Sequence, residues 1–153
     1  MGFFSKLLGR EPATPTLDSS LKRLRARDWS VRRRAASDLG DLADPRAFDA
    51  LVAALADDTS EVRREAARAL GRCPHSQAIE ALASQLSPAT DEGLREAATE
   101  AIGESGHPRA VSLLIATLDD PSNSVRNRAV WALGKLGDPA ALAPLERTRG
   151  RVH

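Results

Sequence analysis

The sequence predicts an all-α, right-handed solenoid of about four helix pairs plus a closing helix, on three observations. A helical segment recurs at a fixed period, aromatic residues are nearly absent, and glycine and proline punctuate the repeats in register. Val31, Val62, Leu94 and Val125 recur every 31 or 32 residues, each followed by an arginine (Arg32, Arg63, Arg95, Arg126). Leu39, Leu70, Ile102 and Leu133 come eight residues later, each followed by glycine (Gly40, Gly71, Gly103, Gly134). Ala47, Ala78, Ala110 and Ala141 mark the helix after that, and Pro45, Pro108 and Pro139 open it in three repeats. A period in this range is characteristic of stacked helical hairpins, none of which can bury its apolar face alone.

Composition agrees. Aromatics are 3% of 153 residues with no Tyr, so the apolar 42% is mostly Ala, Leu and Val, which suits closely approaching helices. A net charge of +1 excludes a polyanion binder by bulk charge. The one cysteine, Cys73, rules out an internal disulfide framework and fits a reducing compartment. No apolar run approaches the ~20 residues of a membrane span. Residues 1–9 lack a signal-peptide pattern, so the expected location is cytoplasmic.

Taken in order, residues 1–16 stand apart as a tail or docking peptide with a linker. Phe3, Phe4, Leu7 and Leu8 share one face of two helical turns, and Pro12 and Pro15 interrupt helix after them. A loose terminus is one reading of this segment. A docking peptide for a partner groove, or a peripheral membrane contact by residues 1–9, is the other. The repeat domain follows over 17–147, with pairs at about 17–42, 45–72, 76–104 and 108–136 and a closing helix over 139–147. Residues 148–153 form a C-terminal tail. In the second repeat Val62, Ala66, Ala69 and Leu70 share a face, and Asp58 or Ser60 is placed to cap the helix. The recurring glycines read as helix-ending residues tolerant of a left-handed turn. Cys73 reads as a small core hydrophobe in register with Leu42 and Leu136.

The recurring Asp-x-x-Val-Arg-x-x-Ala-x-x-Ala-Leu-Gly, followed by Gly-Asp-Pro-x-Ala, resembles the HEAT-repeat superfamily, and within it the short HEAT-like repeats of phycobilisome lyases. The resemblance spans roughly residues 17–147. It implies that Arg32, Arg63, Arg95 and Arg126, with Asp28, Asp58, Asp91 and Asp120, form a structural ladder tying one repeat to the next. It also implies that the second helix of each pair lines a concave surface. The outward positions of those helices are Arg33, Arg34 and Ser37, then Arg64, Glu65 and Arg68, then Glu96, Ala97 and Glu100, and finally Asn127, Arg128 and Trp131. This row is the candidate partner-binding face. Trp131 is either an interface anchor or a side chain packed under the closing helix.

Because the superfamily includes scaffolds, bilin lyases and chaperones, DNA glycosylases and a metal-dependent hydroxylase, function is argued from the residues. No catalytic constellation is evident. His75 is followed by Ser76 and His107 by Pro108, unlike the His-Glu pairs that hold iron in the hydroxylases, and no His or Cys spacing suits a metal. The expectation is a non-enzymatic scaffold or adaptor, needing no cofactor, that binds another protein on its concave face. An accessory lyase or chaperone for a tetrapyrrole-carrying protein is the alternative, on resemblance alone. The basic first repeat, Lys22 to Arg27 and Arg32 to Arg34, raises nucleic acid as a third partner class. The near-neutral charge, the acidic third repeat and the lack of interleaved aromatics argue against it.

Overall fold

The computed structural model describes residues 13–150, and these are helical throughout with no strand among them. Nine α-helices follow in order: α1 (Leu17–Arg23), α2 (Trp29–Leu42), α3 (Phe48–Ala54), α4 (Ser60–Arg72), α5 (Ala78–Ser84), α6 (Glu92–Glu104), α7 (Ala110–Thr117), α8 (Asn123–Leu136) and α9 (Leu142–Arg149). The proposed docking residues Phe3, Phe4, Leu7 and Leu8 lie outside the described residues. Short helices alternate with long ones, and the long helices α2, α4, α6 and α8 stack in sequence. Each short helix from α1 to α7 rests mainly on long helices and touches its short neighbours at most marginally, while α9 rests on the Pro139–Ala141 turn before it. The chain is an α-solenoid.

Local chemistry starts the helices. Thr16 and Ser19 form a reciprocal capping box on α1, and the Asp28, Asp91 and Ser122 side chains accept the first free amides of α2, α6 and α8. On α4 the N-cap is Thr59 without a side-chain cap bond, so neither Asp58 nor Ser60 fills the expected role; Asp57 accepts the Thr59 amide instead. Pro45 and Pro139 open 3₁₀ turns that Asp44 and Asp138 cap, ahead of α3 and α9. His75 and His107 stand in register with these two aspartates, and each accepts the amide two residues on through Nδ1.

The core is a file of fully buried leucine-like side chains, Leu39, Leu51, Leu70, Leu82, Ile102, Leu114 and Leu133, set in alanine. Val62, Leu94 and Val125 are buried as the period requires, while Val31 of the first repeat is only half-buried. Cys73 is buried, yet its register partners Leu42 and Leu136 are exposed, so the equivalence drawn from the sequence fails there.

The recurring glycines do not end helices. Gly40, Gly71, Gly103 and Gly134 all lie within their long helices; positive φ is found instead at Ala43, Gly106 and Gly137. Their role is close approach. A methyl group on Gly71 would lie 2.9 Å from the Ala101 Cβ and carbonyl oxygen, and one on Gly103 would lie 2.8 Å from the Ala132 Cβ. Gly40 faces the Ala69 backbone in the same way, at 2.9 Å. Helices crossing at Gly and Ala come nearer than helices separated by leucine, so the long helices pack closely against one another.

The arginine ladder ties neighbouring repeats unequally. Arg32 forks onto Asp57 at 2.8 and 3.0 Å, reaches Asp58 at 2.8 Å, and donates to the Ala26 and Arg27 carbonyls. Arg95 does the same with Asp120 at 2.9 and 3.2 Å, the most enclosed ion pair among the described residues, with side-chain exposures of 7% and 5%. Arg63 donates to the Asp57 carbonyl at 2.7 Å, but the one carboxylate it meets on the next repeat is Asp91, at 3.5 Å, because Ala89 occupies the position of Asp57 and Asp120. The four aspartates grouped in the sequence therefore hold three different registers. Asp28 and Asp91 are N-caps, and the principal inter-repeat carboxylates are Asp57 and Asp120. Burial pushes the Asp57 carboxyl up, but the Arg32 fork and the Thr59 amide outweigh it and hold the group below the ordinary carboxylate value.

Three measurements test this packing. Gly71→Ala and Gly103→Ala should each cost about 1–3 kcal/mol through overpacking, whereas Gly134→Ala, whose added methyl meets nothing within 4 Å, should raise Tm. Arg95→Met strands a buried carboxylate and should cost about 3–5 kcal/mol, against about 1 kcal/mol or less for Arg63→Met, by urea unfolding. A carboxylate with a lowered native pKa adds stability above its unfolded pKa of about 3.9 and loses it as pH falls through the native value. Asp57→Asn should therefore lower stability at neutral pH, with the gap to the parent closing progressively below about pH 4.

Candidate functional site

The candidate inner face is one stripe of each long helix, two, three, six and ten residues past the repeat's apolar anchor. These spacings fall on neighbouring turns, so side chains from adjacent helices meet across the stack. A chain of charges links the first three long helices. Asp41 of α2 lies 3.7 Å from Arg72 of α4, which is 3.9 Å from Glu65. Glu65 pairs with Arg68 at 3.8 Å, and Arg68 reaches Glu100 of α6 at 3.7 Å. Glu96 then joins α6 to α8, accepting from Arg128 at 2.7 Å and from Ser124 at 3.0 Å. The Arg128 guanidinium, then the Ser124 hydroxyl, hold the Glu96 carboxyl below its ordinary value against the opposing effect of burial, and Glu96 in turn raises Arg128.

Trp131 is half exposed, at 50%, with the Lys135 ammonium 4.5 Å from its ring centroid. It does not pack under α9. An ammonium over an indole face is an attractive contact of about 0.5–1 kcal/mol at an exposed site, and it holds the ring against the helix surface. The ring remains open to a second contact.

The other candidates divide plainly. Arg64 lies along α4, 3.7 Å from Glu61 and donating to the Ser60 carbonyl, with its stem over Gly93; a methyl there would come within 3.3 Å of the Arg64 Cδ. That contact gives a reason for glycine in the first turn of α6. Arg34 turns to the N-terminal end and pairs with Asp38 at 3.4 Å. Arg33 and Asn127 are exposed at the margins. Ala97, read as outward-facing, is buried. Three residues of the face were not anticipated: Asp41, Arg72 and Lys135 stand one turn beyond Ser37, Arg68 and Trp131, and that i+4 spacing was the available signal.

Elsewhere the chemistry is sparse. Among the described residues no group of three His, Cys, Asp or Glu could hold a metal ion. Burial pushes the Cys73 thiol up, away from nucleophilic character. His75 stacks flat on Phe48 at 3.9 Å between ring centroids. A groove of about 540 Å³ opens on the short-helix side between α1 and α3, lined by Leu21, Leu24, Ala50 and Ala53 with Lys22 and Arg25. No described helix is long and apolar enough to cross a membrane.

Comparison with known proteins agrees with this geometry. No curated protein matches the chain. Among solved structures, the complex of CpcE and CpcF of phycocyanin lyase from Nostoc sp. PCC7120 is similar at a TM-score of 0.68 and 24% identity, over 76% of this chain and 79% of that one. A designed armadillo repeat protein in complex with the peptide (KR)4 is similar at a TM-score of 0.56 and 23% identity, over 86% and 69%. An engineered protein aligns at a TM-score of 0.51 and 25% identity, over 87% and 68%. At such identities these likenesses speak to fold. The family model for HEAT repeats matches residues 17–102 and again 79–150, which takes in nearly every helix described above, and the chain belongs to the HEAT-repeat family.

Proposed function

We propose that this protein is a non-enzymatic scaffold that binds a segment of another protein along its inner face, with Trp131 as anchor. The observation that carries the reading is the half-exposed Trp131, held by Lys135 beside the charge chain of Glu65, Arg68 and Glu100. A large amphipathic ring offers contact area at small entropic cost, which is why tryptophan is enriched where binding energy concentrates. The charges beside it suit exchange. Their separations of 3.7–3.9 Å and partial exposure make each pair worth about 0–1 kcal/mol, so a partner's charged groups can replace them at little cost.

Along the face the stripe of the second repeat is basic and that of the third acidic, and neighbouring charges of opposite sign are paired with one another. Selectivity would then come from the order of signs along the groove and from the indole, not from bulk attraction. A designed armadillo repeat protein that holds a peptide is a precedent for a helical solenoid in this use. The basic first repeat supports nucleic-acid binding less well, because Arg23, Arg32 and Arg34 are all engaged in ion pairs with aspartates.

Quantitative pull-down with the parent protein and a Trp131→Ala/Arg68→Ala variant tests the reading. Recovery of the partner should fall by roughly 30-fold, corresponding to about 2 kcal/mol for a buried anchor, at unchanged helicity by circular dichroism. Equal recovery would remove this face from contention.

A further inference from the structure

Ten residues past the anchor of each repeat, in the last turn of each long helix, stand Asp41, Arg72, Glu104 and Lys135. From α2 to α8 their signs run negative, positive, negative, positive. The other row with four charges, Arg32 to Arg126, is of one sign and is spent within the stack. None of the alternating four makes a side-chain hydrogen bond among the described residues. Asp41, with 70% of its side chain exposed, approaches Arg72 no nearer than 3.7 Å. Lys135 rests on the Trp131 ring, and Glu104 is exposed without an ion pair among the described residues.

The pattern works against the helices that carry it. Arg64, Arg68 and Arg72 follow one another at four-residue spacing on α4, and Glu92, Glu96, Glu100 and Glu104 do so on α6. Like charges at that spacing destabilise a helix. Ser122, Arg128 and Arg68 relieve the first three glutamates, but nothing offsets Glu104. Local chemistry that opposes its own fold is expected where a surface serves binding. Spacing adds a second condition. Packed helices lie about 8–10 Å apart. Three residues of polyproline II chain advance about 9 Å and bring the same side round again. A chain laid across the row therefore meets one long helix with every third residue.

We propose that this row takes an extended segment of a partner protein, in polyproline II form, with a charged side chain at every third residue, alternately basic and acidic. The proposal rests on the inner-face reading and adds which groups are read there, and in what order. From α2 to α8 the complement is basic, acidic, basic, acidic, and the acidic residue at Lys135 brings the side chain after it to Trp131. The same charges gathered in two blocks satisfy only two of the four positions, in either direction. Selection by order costs a wrong partner two like-charge contacts, which net charge alone would not.

Two fluorescent peptides of one composition test this, with proline and serine at the intervening positions and phenylalanine after the last charge. In one the charges run Lys, Glu, Lys, Glu; in the other they run Lys, Lys, Glu, Glu. Titrated into the full chain at low salt with anisotropy as readout, the alternating peptide should bind roughly tenfold more tightly. In an Arg72→Glu/Glu104→Arg variant the row becomes negative, negative, positive, positive, and the preference should reverse at unchanged helicity. Absence of saturable binding, equal affinity of the two peptides, or a preference that survives the exchange overturns the proposal. So does a dimer of the free protein that Arg72→Glu alone disperses, since the row read backwards is its own complement and a second copy would then be the occupant. The exchange leaves Trp131 and Arg68 in place, so its failure beside an intact pull-down contrast removes the charge order and not the inner-face reading.

Discussion

The contact on which this architecture depends is the crossing of one long helix over the next at a glycine and an alanine. At three successive junctions a missing Cβ lets backbone approach backbone, and nothing larger fits at Gly71 or Gly103. The leucine-like file behind these crossings supplies the hydrophobic free energy, but the glycines set the spacing at which that file closes. The same spacing brings Arg68 within reach of Glu100, and Arg128 within reach of Glu96, so the character of the inner face follows from the width of the core.

Much of this was legible in the sequence, because a repeat writes its core four times. The period fixed the helix count and the faces of Val62, Leu94 and Val125, and the resemblance to HEAT repeats implied the inter-repeat use of Arg32, Arg63 and Arg95. What escaped was whatever depends on a neighbour in space. A glycine near a helix end has two uses, and only the position of Ala101 shows which one Gly71 serves. Aspartates at three registers look alike in a line of text, yet Asp57 and Asp120 hold arginines while Asp28 and Asp91 cap helices.

The candidate face was harder still. Its positions could be counted from periodicity, but whether Arg68 would be free or engaged depends on the residue one helix away. Ala97 shows the same limit in reverse, since a position counted as outward from the period is buried. Trp131 kept two readings until its surroundings were known. Lys135, one turn on, was the clue that the indole would lie along its own helix.

The unevenness of the arginine ladder has a mechanical corollary. The first and third junctions are bolted by bidentate forks, whereas the second has the looser approaches of Arg63 to Asp91 at 3.5 Å and of Arg68 to Glu100 at 3.7 Å beside its helix packing. A rod clamped at two joints and merely nested at the one between them bends there first. The solenoid can thus behave as two stiff halves around a more compliant waist, changing its pitch there without loosening either half.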